Sequence, residues 1–159
     1  MLGAGDNCRP RFPFNDVITV VFPTPQDAEA AFYDAFESGD LETMMSVWAE
    51  DEDIVCVHPS GPRLVGVDQV RESWREIFAS GQQLRFHIKD QQILRGMLLS
   101  IHSVLEHILI AGESRPRNPI IATNIYLLTD KGWRMLAHHA SPAPAQETAA
   151  VEVRPAKLH

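Results

Sequence analysis

The order of the hydrophobic patterns along the chain constrains its fold most. Three stretches with apolar residues at helical spacing come first, and β-rich runs separated by turn residues follow. Helices followed by consecutive antiparallel strands predict an α+β fold rather than alternating α/β units. We expect three N-terminal helices packed in a curved antiparallel sheet. Such a sheet forms a cone with one closed end and an open mouth, where a ligand can bind.

Local signals place the ends of these elements. Thr24 is a candidate N-cap of the first helix, which Gly39 ends, and Asp40 caps the second helix. The third helix is predicted for residues 68–80. Gly96 is expected to bend one long strand, and the loop 130–132 is a tight hairpin. The predicted strands are residues 54–58, 63–65, 84–89, 92–110, 120–129 and 133–139.

One domain is expected between two proline-containing segments, since 159 residues suffice for a single core. Residues 1–23 are interpreted as a leader, whose apolar part 17–22 is suited to an edge strand or to packing over the domain. The domain is predicted for residues 24–141. Residues 142–159 are expected to be an extended or disordered tail.

Charge and composition exclude several classes of partner. The formal net charge of -7 argues against nucleic acid and against an anionic membrane surface. The longest uncharged apolar run, residues 96–105, is too short to span a bilayer, and no signal peptide is evident. Cys8 and Cys56 are expected to be free thiols. A cytoplasmic location follows by default.

Two segments resemble a known superfamily. The stretch AFYDAFESGDLETMMSVWAEDEDIVCVHPSGPRLVGVDQVRESWREIF resembles the first half of the nuclear transport factor 2-like superfamily, and GWRMLAHHASP resembles the last strand of its SnoaL-like branch. The resemblance implies a cystatin-like cone. It implies no single activity, because the superfamily includes isomerases, cyclases, dehydratases, binding proteins and oligomerisation modules.

The resemblance to ketosteroid isomerases can be followed position by position. Their general base is an Asp before the proline of the first strand, and His58 holds that place here. Phe32 occupies the place of their oxyanion-hole Tyr, with Tyr33 beside it. Asn124 falls near their second oxyanion donor, an Asp. These differences argue against steroid isomerisation itself but imply a pocket into which His58 and Asn124 point.

Histidines are the main candidates for acid–base chemistry, because imidazole titrates near neutral pH. His58 is predicted to act as a base at the cone mouth; the alternative is a strand-end histidine bonded to the backbone. His138 and His139 are adjacent, so they face opposite sides of a strand, and the sequence leaves open which one faces inward. His138 is the third catalytic candidate beside His58 and Asn124.

The predicted pocket walls are aromatic and histidine side chains, with core packing as the alternative for each. His102 and Glu106 share one strand face, but about 13 Å between their Cα atoms excludes a direct contact. No metal is expected, because no ligand spacing is recognisable, and no cofactor is expected, because a dinucleotide-binding glycine pattern is absent. The predicted pocket residues are Phe32, Trp48, Trp74, His102, Tyr126 and His139.

Two functions remain open from the sequence. The first is a cofactor-independent isomerase, cyclase or dehydratase that acts on a small hydrophobic or aromatic ligand, with His58 as base. The second is a non-catalytic ligand-binding or dimerisation module. The apolar residues of the 120–128 strand are too many for one buried face, so a homodimer through the outer face of the sheet is expected.

Overall fold

The computed structural model describes residues 20–113 and 117–144. Three helices come before most of the sheet, and the fold is α+β. The helices are α1 (Pro25–Ser38), α2 (Leu41–Val47) and α3 (Val67–Ala79). The strands are β1 (Val55–Val57), β2 (Arg63–Val65), β3 (Leu84–Arg95), β4 (Leu99–Ile110), β5 (Ile120–Thr129) and β6 (Gly132–Pro142). In the described part of the chain, no helix has both the length and the apolar character to cross a bilayer.

The helix ends follow from local side-chain chemistry. Thr24 and Asp27 form a capping box at the start of α1, with the Thr24 hydroxyl accepting from the Asp27 N–H at 3.1 Å. Gly39 ends α1 with a φ of 69°, a left-handed conformation that favours glycine. Asp40 then caps α2 through the Thr43 N–H. These three sequence predictions are confirmed.

The six strands form one sheet in the order β2-β1-β6-β5-β4-β3. All neighbours are antiparallel except β1 and β6, which run parallel. The sheet is therefore mixed, whereas a purely antiparallel sheet was expected. One helix and four strands separate β1 from β6 along the chain, and this long connection brings β6 alongside β1 in the same direction.

The predicted strand 92–110 is wrong as a single element. The chain reverses at Gly96, whose N–H donates to the Leu99 carbonyl at 2.7 Å, so β3 and β4 form a hairpin. The predicted 84–89 run and the start of the long run instead form one strand, β3, with a bulge between Lys89 and Gln92. Within this bulge Asp90 adopts a φ of 49°.

Both ends of the domain extend beyond the predicted boundaries at 24 and 141. Phe22 is buried and pairs with Gly132, and its carbonyl accepts from the Trp133 N–H at 2.9 Å. Pro142 is the last residue of β6, and the buried Ala143 donates its N–H to the Pro119 carbonyl at 2.9 Å. Residues 1–19 of the predicted leader and 145–159 of the predicted tail lie outside the described residues.

An aromatic core fills the space between the helices and the inner face of the sheet. Phe32 and Trp74 are fully buried, with ring centroids 5.5 Å apart in an edge-to-face arrangement. Phe36 packs on the same indole, at 4.7 Å. This core closes one end of the cone and leaves polar residues further along the inner face.

Candidate active site

Polar side chains from four strands form a row across the inner face of the sheet. The backbone register places Cys56 of β1 beside His138 of β6, His138 beside Asn124 of β5, and Asn124 beside His102 of β4. All four are at most 3% exposed. Buried polar groups in such a row require hydrogen-bond partners, and α1 supplies several of them.

His138 and Asn124 are hydrogen-bonded at the centre of this row. The His138 Nδ1 lies 2.7 Å from the Asn124 Oδ1. The Asn124 amide nitrogen donates to the Tyr33 hydroxyl at 3.3 Å and to Glu29 at 3.5 Å. Because Asn124 Oδ1 only accepts, His138 Nδ1 carries the proton and Nε2 has the free lone pair. Burial lowers the pKa of His138 to about 3, so its imidazole is neutral.

Tyr33 and Glu106 form the second part of the network. The Tyr33 hydroxyl donates to the Glu106 Oε1 at 2.7 Å. Glu106 is 4% exposed, and its burial raises the pKa of the carboxyl to about 7, with the nearby charge of Glu29 adding to the shift. Burial and the Glu106 carboxylate also raise the pKa of Tyr33, which keeps the phenol protonated. Glu106 therefore exchanges a proton near neutral pH.

Glu29 connects α1 to the far end of the row. Its Oε2 lies 3.0 Å from the His102 Nδ1, an ion-pair distance at which the N–H bond is poorly aligned for a hydrogen bond. The His102 Nε2 lies 2.9 Å from the Ser100 hydroxyl. Gln91, from the β3 bulge, also donates to Glu29. A bulge often re-aims a side chain in this way, here towards the carboxylate of Glu29.

His58 lies outside this hydrogen-bonded network. Its Nε2 is 3.2 Å from the Ser73 hydroxyl and 3.6 Å from the Cys56 sulfur. Its ring packs edge-on to Trp74 at 4.8 Å, and the His138 ring is 6.4 Å away. Burial lowers the pKa of His58, so the neutral imidazole is favoured. His58 is thus close to His138 but surrounded by aromatic packing.

A cavity of about 450 Å³ opens beside the other end of the network. It lies between α1 and the β3 bulge, and Glu29 and Tyr33 are part of its wall. Its volume is within the range of small-molecule sites. The remaining lining residues are Gln26, Ala30, Asp34, Ile88, Lys89, Asp90 and Gln91.

The structure separates the predicted pocket residues into two groups. Phe32, Trp74, His102 and Tyr126 lie inside the cone with Asn124 and His138, and the rings of His102 and Tyr126 are 4.9 Å apart. Trp48 is also buried but lines a different groove, on the α2 side. The assignment of His139 to the pocket is corrected: its side chain is exposed, because strand alternation turns it away from the buried His138.

Sequence reasoning missed five polar residues of the network. A signal was present for two pairs: Glu29 and Tyr33 are four apart on one helical face, and Ser100 and Glu106 share the strand face of His102. His102 and Glu106 do not contact each other directly, as the strand spacing predicted; each has its own partner on α1. The fifth residue, Gln91, is exposed and reaches Glu29 from the bulge in β3, which the sequence did not predict. Within the described residues, no group of three or more His, Cys, Asp and Glu side chains is arranged to hold a metal ion.

Comparisons with known proteins identify the family. The SnoaL-like domain family matches residues 26–146. A proposed association domain of calcium/calmodulin-dependent protein kinase type II from Thiobacillus denitrificans is 42% identical, with a TM-score of 0.75; the match covers 79% of this chain and 99% of that one. A proposed dehydratase of the NTF2-like family from Streptomyces avermitilis is 33% identical, with a TM-score of 0.67, over 74% of this chain and 92% of that one.

A plant protein is a more distant relative. F-box protein SKIP8 of Arabidopsis thaliana is 24% identical over 112 residues, which are 69% of this chain. The chain spans less than half of that protein, 46% of its length. The family match and the two similar structures agree with the α+β fold described above. The chain therefore belongs to the SnoaL-like domain family of the nuclear transport factor 2-like superfamily.

Proposed function

We propose that this SnoaL-like domain binds a small hydrophobic or aromatic molecule and catalyses proton transfer on it, as an isomerase or a dehydratase. The observation that carries the proposal is the buried carboxyl of Glu106, whose pKa is raised to about 7 while it accepts a hydrogen bond from Tyr33. A general acid–base group is most effective when its pKa is near the working pH. The proposal includes no metal and no cofactor, and it places the protein in the cytoplasm.

The network supplies the groups that such a step needs. As a base, Glu106 takes a proton from the carbon next to a carbonyl, and the electron pair of the broken C–H bond moves onto the carbonyl oxygen. The Tyr33 O–H donates to the Glu106 carboxylate, and the Asn124 N–H donates to the Tyr33 hydroxyl; once Glu106 has taken the proton, the Tyr33 O–H is released to stabilise the oxyanion. The proton then returns to another carbon in an isomerisation, or goes to a β-hydroxyl that leaves as water in a dehydration.

This proposal changes the role of His58, the base expected from the sequence. His58 is packed against Trp74 and held by Ser73, whereas Tyr33, the hydrogen-bond partner of Glu106, borders the cavity beside the network. We keep His58 as the alternative base, with Asn124 and His138 in the roles that the sequence predicted. The Tyr33 ring in the cavity wall supports an aromatic ligand, and the 33% identical proposed dehydratase supports the reaction class.

Exchange of carbon-bound protons tests the proposal without a known substrate. The protein is incubated with a panel of aryl ketones in D₂O, and loss of the α-proton signals is followed by NMR. We expect exchange above the buffer rate and a loss of about 10²–10⁴-fold in Glu106→Gln, the usual contribution of a general base. His58→Ala is the matched comparison. If exchange is lost only in His58→Ala, His58 is the base. If neither the wild type nor a variant shows exchange, the catalytic proposal is refuted.

A second function is favoured by the outer face of the sheet. The outward side chains of Ile101 and Ile125 are directly paired and only partly covered within the chain. Leu99, on the same face, is 43% exposed and pairs with Leu127. We propose that this face joins two copies of the chain as a homodimer, in agreement with the 42% identity to a proposed association domain. A dimeric module and an enzyme are compatible, because the cone interior lies on the opposite face.

A further inference from the structure

A second cavity lies on the surface, apart from the interior network. It is bordered by α2, the start of α3 and the β5–β6 hairpin, and its volume is about 570 Å³. This is large enough for a small organic molecule. Its basic lining residues are Arg71, Lys131 and Arg134, its acidic ones are Glu42 and Glu50, and its apolar ones include Val20, Met45, Trp48 and Val67.

Arg134 is the unusual member of this groove. It is only 7% exposed, and its guanidinium lies 5.0 Å from the centre of the Phe22 ring. It donates to two backbone carbonyls, those of Trp133 and Val20, and no carboxylate of the described residues is within ion-pair distance. Burial lowers the pKa of Arg134. A buried cation that no described carboxylate contacts directly is costly, although the charge of Glu50 offsets part of that cost, and three of the five N–H donors of Arg134 are not used by these bonds.

The other basic residues of the groove are held only by exposed partners. Lys131 bonds to Glu50 at 2.7 Å, and Arg71 bonds to Glu42 at 2.7 Å. The two carboxylate side chains are 81% and 79% exposed, so these ion pairs contribute little and can open. The indole N–H of Trp48 is buried without a hydrogen-bond partner in the described residues. The groove is thus rich in unused donors although the whole chain is acidic.

We propose that this groove is a second binding site, for a small organic carboxylate with an apolar body. Arg134 pairs with the carboxylate, as a guanidinium does in a bidentate contact. Lys131 and Arg71 add positive charge at the rim. Met45 and Val67 contact the apolar body of the ligand. This apolar contact distinguishes the site from one that binds a free inorganic anion.

Titration calorimetry with benzoate and with inorganic phosphate tests this site. Ionic strength is kept constant with sodium chloride, so that general screening is the same in every titration. We expect benzoate to bind more tightly than phosphate, and Arg134→Met to weaken benzoate by at least about tenfold, the loss of one charge-assisted contact. Arg75→Gln is the matched control, since Arg75 pairs with Glu72 outside the groove. Phosphate binding without benzoate binding overturns the proposal.

A second variant covers the case in which Arg134→Met fails to fold. Glu50→Gln leaves the buried residues unchanged and releases Lys131, so benzoate binding should tighten by roughly two- to fivefold, the value of an exposed ion pair. Unchanged affinity in both Glu50→Gln and Lys131→Gln overturns the site. Asp16, four positions before Val20, lies outside the described residues and is tested as another source of the carboxylate. If Asp16→Asn strengthens benzoate binding tenfold or more, the groove belongs to the leader of the chain itself, and the small-molecule proposal fails.

Discussion

Asn124 holds His138 in one tautomer. Its Oδ1 lies 2.7 Å from the His138 Nδ1, while its amide nitrogen donates to Tyr33 and Glu29. One amide thus links the last strand of the sheet to two polar residues of α1. The donors run in one direction, from His138 through Asn124 and Tyr33 to Glu106. Two of the three bonds of this chain involve the amide of Asn124.

Replacing this amide should be costly for stability. In Asn124→Leu, the N–H of His138 and the hydroxyl of Tyr33 each lose a partner in a buried environment. We expect the free energy of unfolding to fall by about 2–4 kcal/mol, the penalty of one or two buried unsatisfied groups. Urea unfolding measures the change. Thr123→Val, one position along on the outer face, is the control and should change stability by less than about 0.5 kcal/mol. Equal effects of the two changes would contradict the network.

The Glu106 carboxyl should make the protein less stable as the pH rises. Its pKa is raised from the usual 4.5 to about 7, so the folded protein retains this proton when the unfolded chain has released it. The stabilisation is complete below pH 4.5 and is lost as the pH rises to about 7, with a slope of at most about 1.4 kcal/mol per pH unit. Glu106→Gln should remove this slope from denaturation curves measured between pH 4.5 and 8. A variant with the wild-type slope would show that another group titrates.

His138 should have the opposite effect on the acid side. Its pKa is lowered from 6.5 to about 3, so between these pH values the unfolded chain binds a proton that the folded protein does not bind. Stability is therefore lost as the pH falls from 6.5 towards 3, again by at most about 1.4 kcal/mol per pH unit. In the wild type this loss partly cancels the Glu106 effect between pH 4.5 and 6.5. His138→Gln should reveal the uncompensated Glu106 slope in thermal melts, and persistence of the acid-side loss in this variant would refute the assignment.

Gly132 permits the close approach of the Phe22 segment. A Cβ at Gly132 would lie 2.7 Å from the Phe22 carbonyl oxygen, and its φ is 90°. Gly81 also has a positive φ, 67°, but a Cβ there meets nothing within 4 Å. Gly81→Ala should therefore cost only the backbone strain, about 1–2 kcal/mol, and Gly132→Ala more. The difference between the two unfolding free energies measures the contact, and no difference would mean that the segment moves away freely.

The outer-face homodimer is testable with one charge. Ile101→Lys places an ammonium group on the apolar surface shared with Ile125. Sedimentation velocity should show the wild type as a dimer and the variant as a monomer, because an unpaired buried charge is strongly unfavourable. Met97→Lys is the control, since Met97 lies in the exposed β3–β4 turn. A monomeric wild type, or a dimer that persists in Ile101→Lys, would rule out this face.

Sequence patterns predicted the features that depend on neighbouring residues. The caps at Thr24 and Asp40 and the stop at Gly39 are local, and so the helices could be predicted. The Tyr33–Glu106 bond joins residues 73 positions apart, and it requires both the strand register and the docking of α1. Neither is encoded in periodicity. His58 was predicted as the base because it precedes Pro59. In the structure His58 contacts residues of α3, whereas Asn124, the partner of His138, bonds to residues of α1.

The position of β6 between β1 and β5 has a consequence for biosynthesis. During translation, β3, β4 and β5 can pair as each emerges, but β1 and β2 remain separate from them until residues 132–142 leave the ribosome. Inserting β6 joins the two parts of the sheet and delivers His138 to Asn124 in the same event. Such long-range pairing is slow relative to helix formation and exposes two strand edges meanwhile. A nascent chain that stops before β6 can form the helices, the β1–β2 hairpin and the β3–β5 strands, but it lacks His138 and its bond to Asn124, so the polar row is completed only when β6 is inserted.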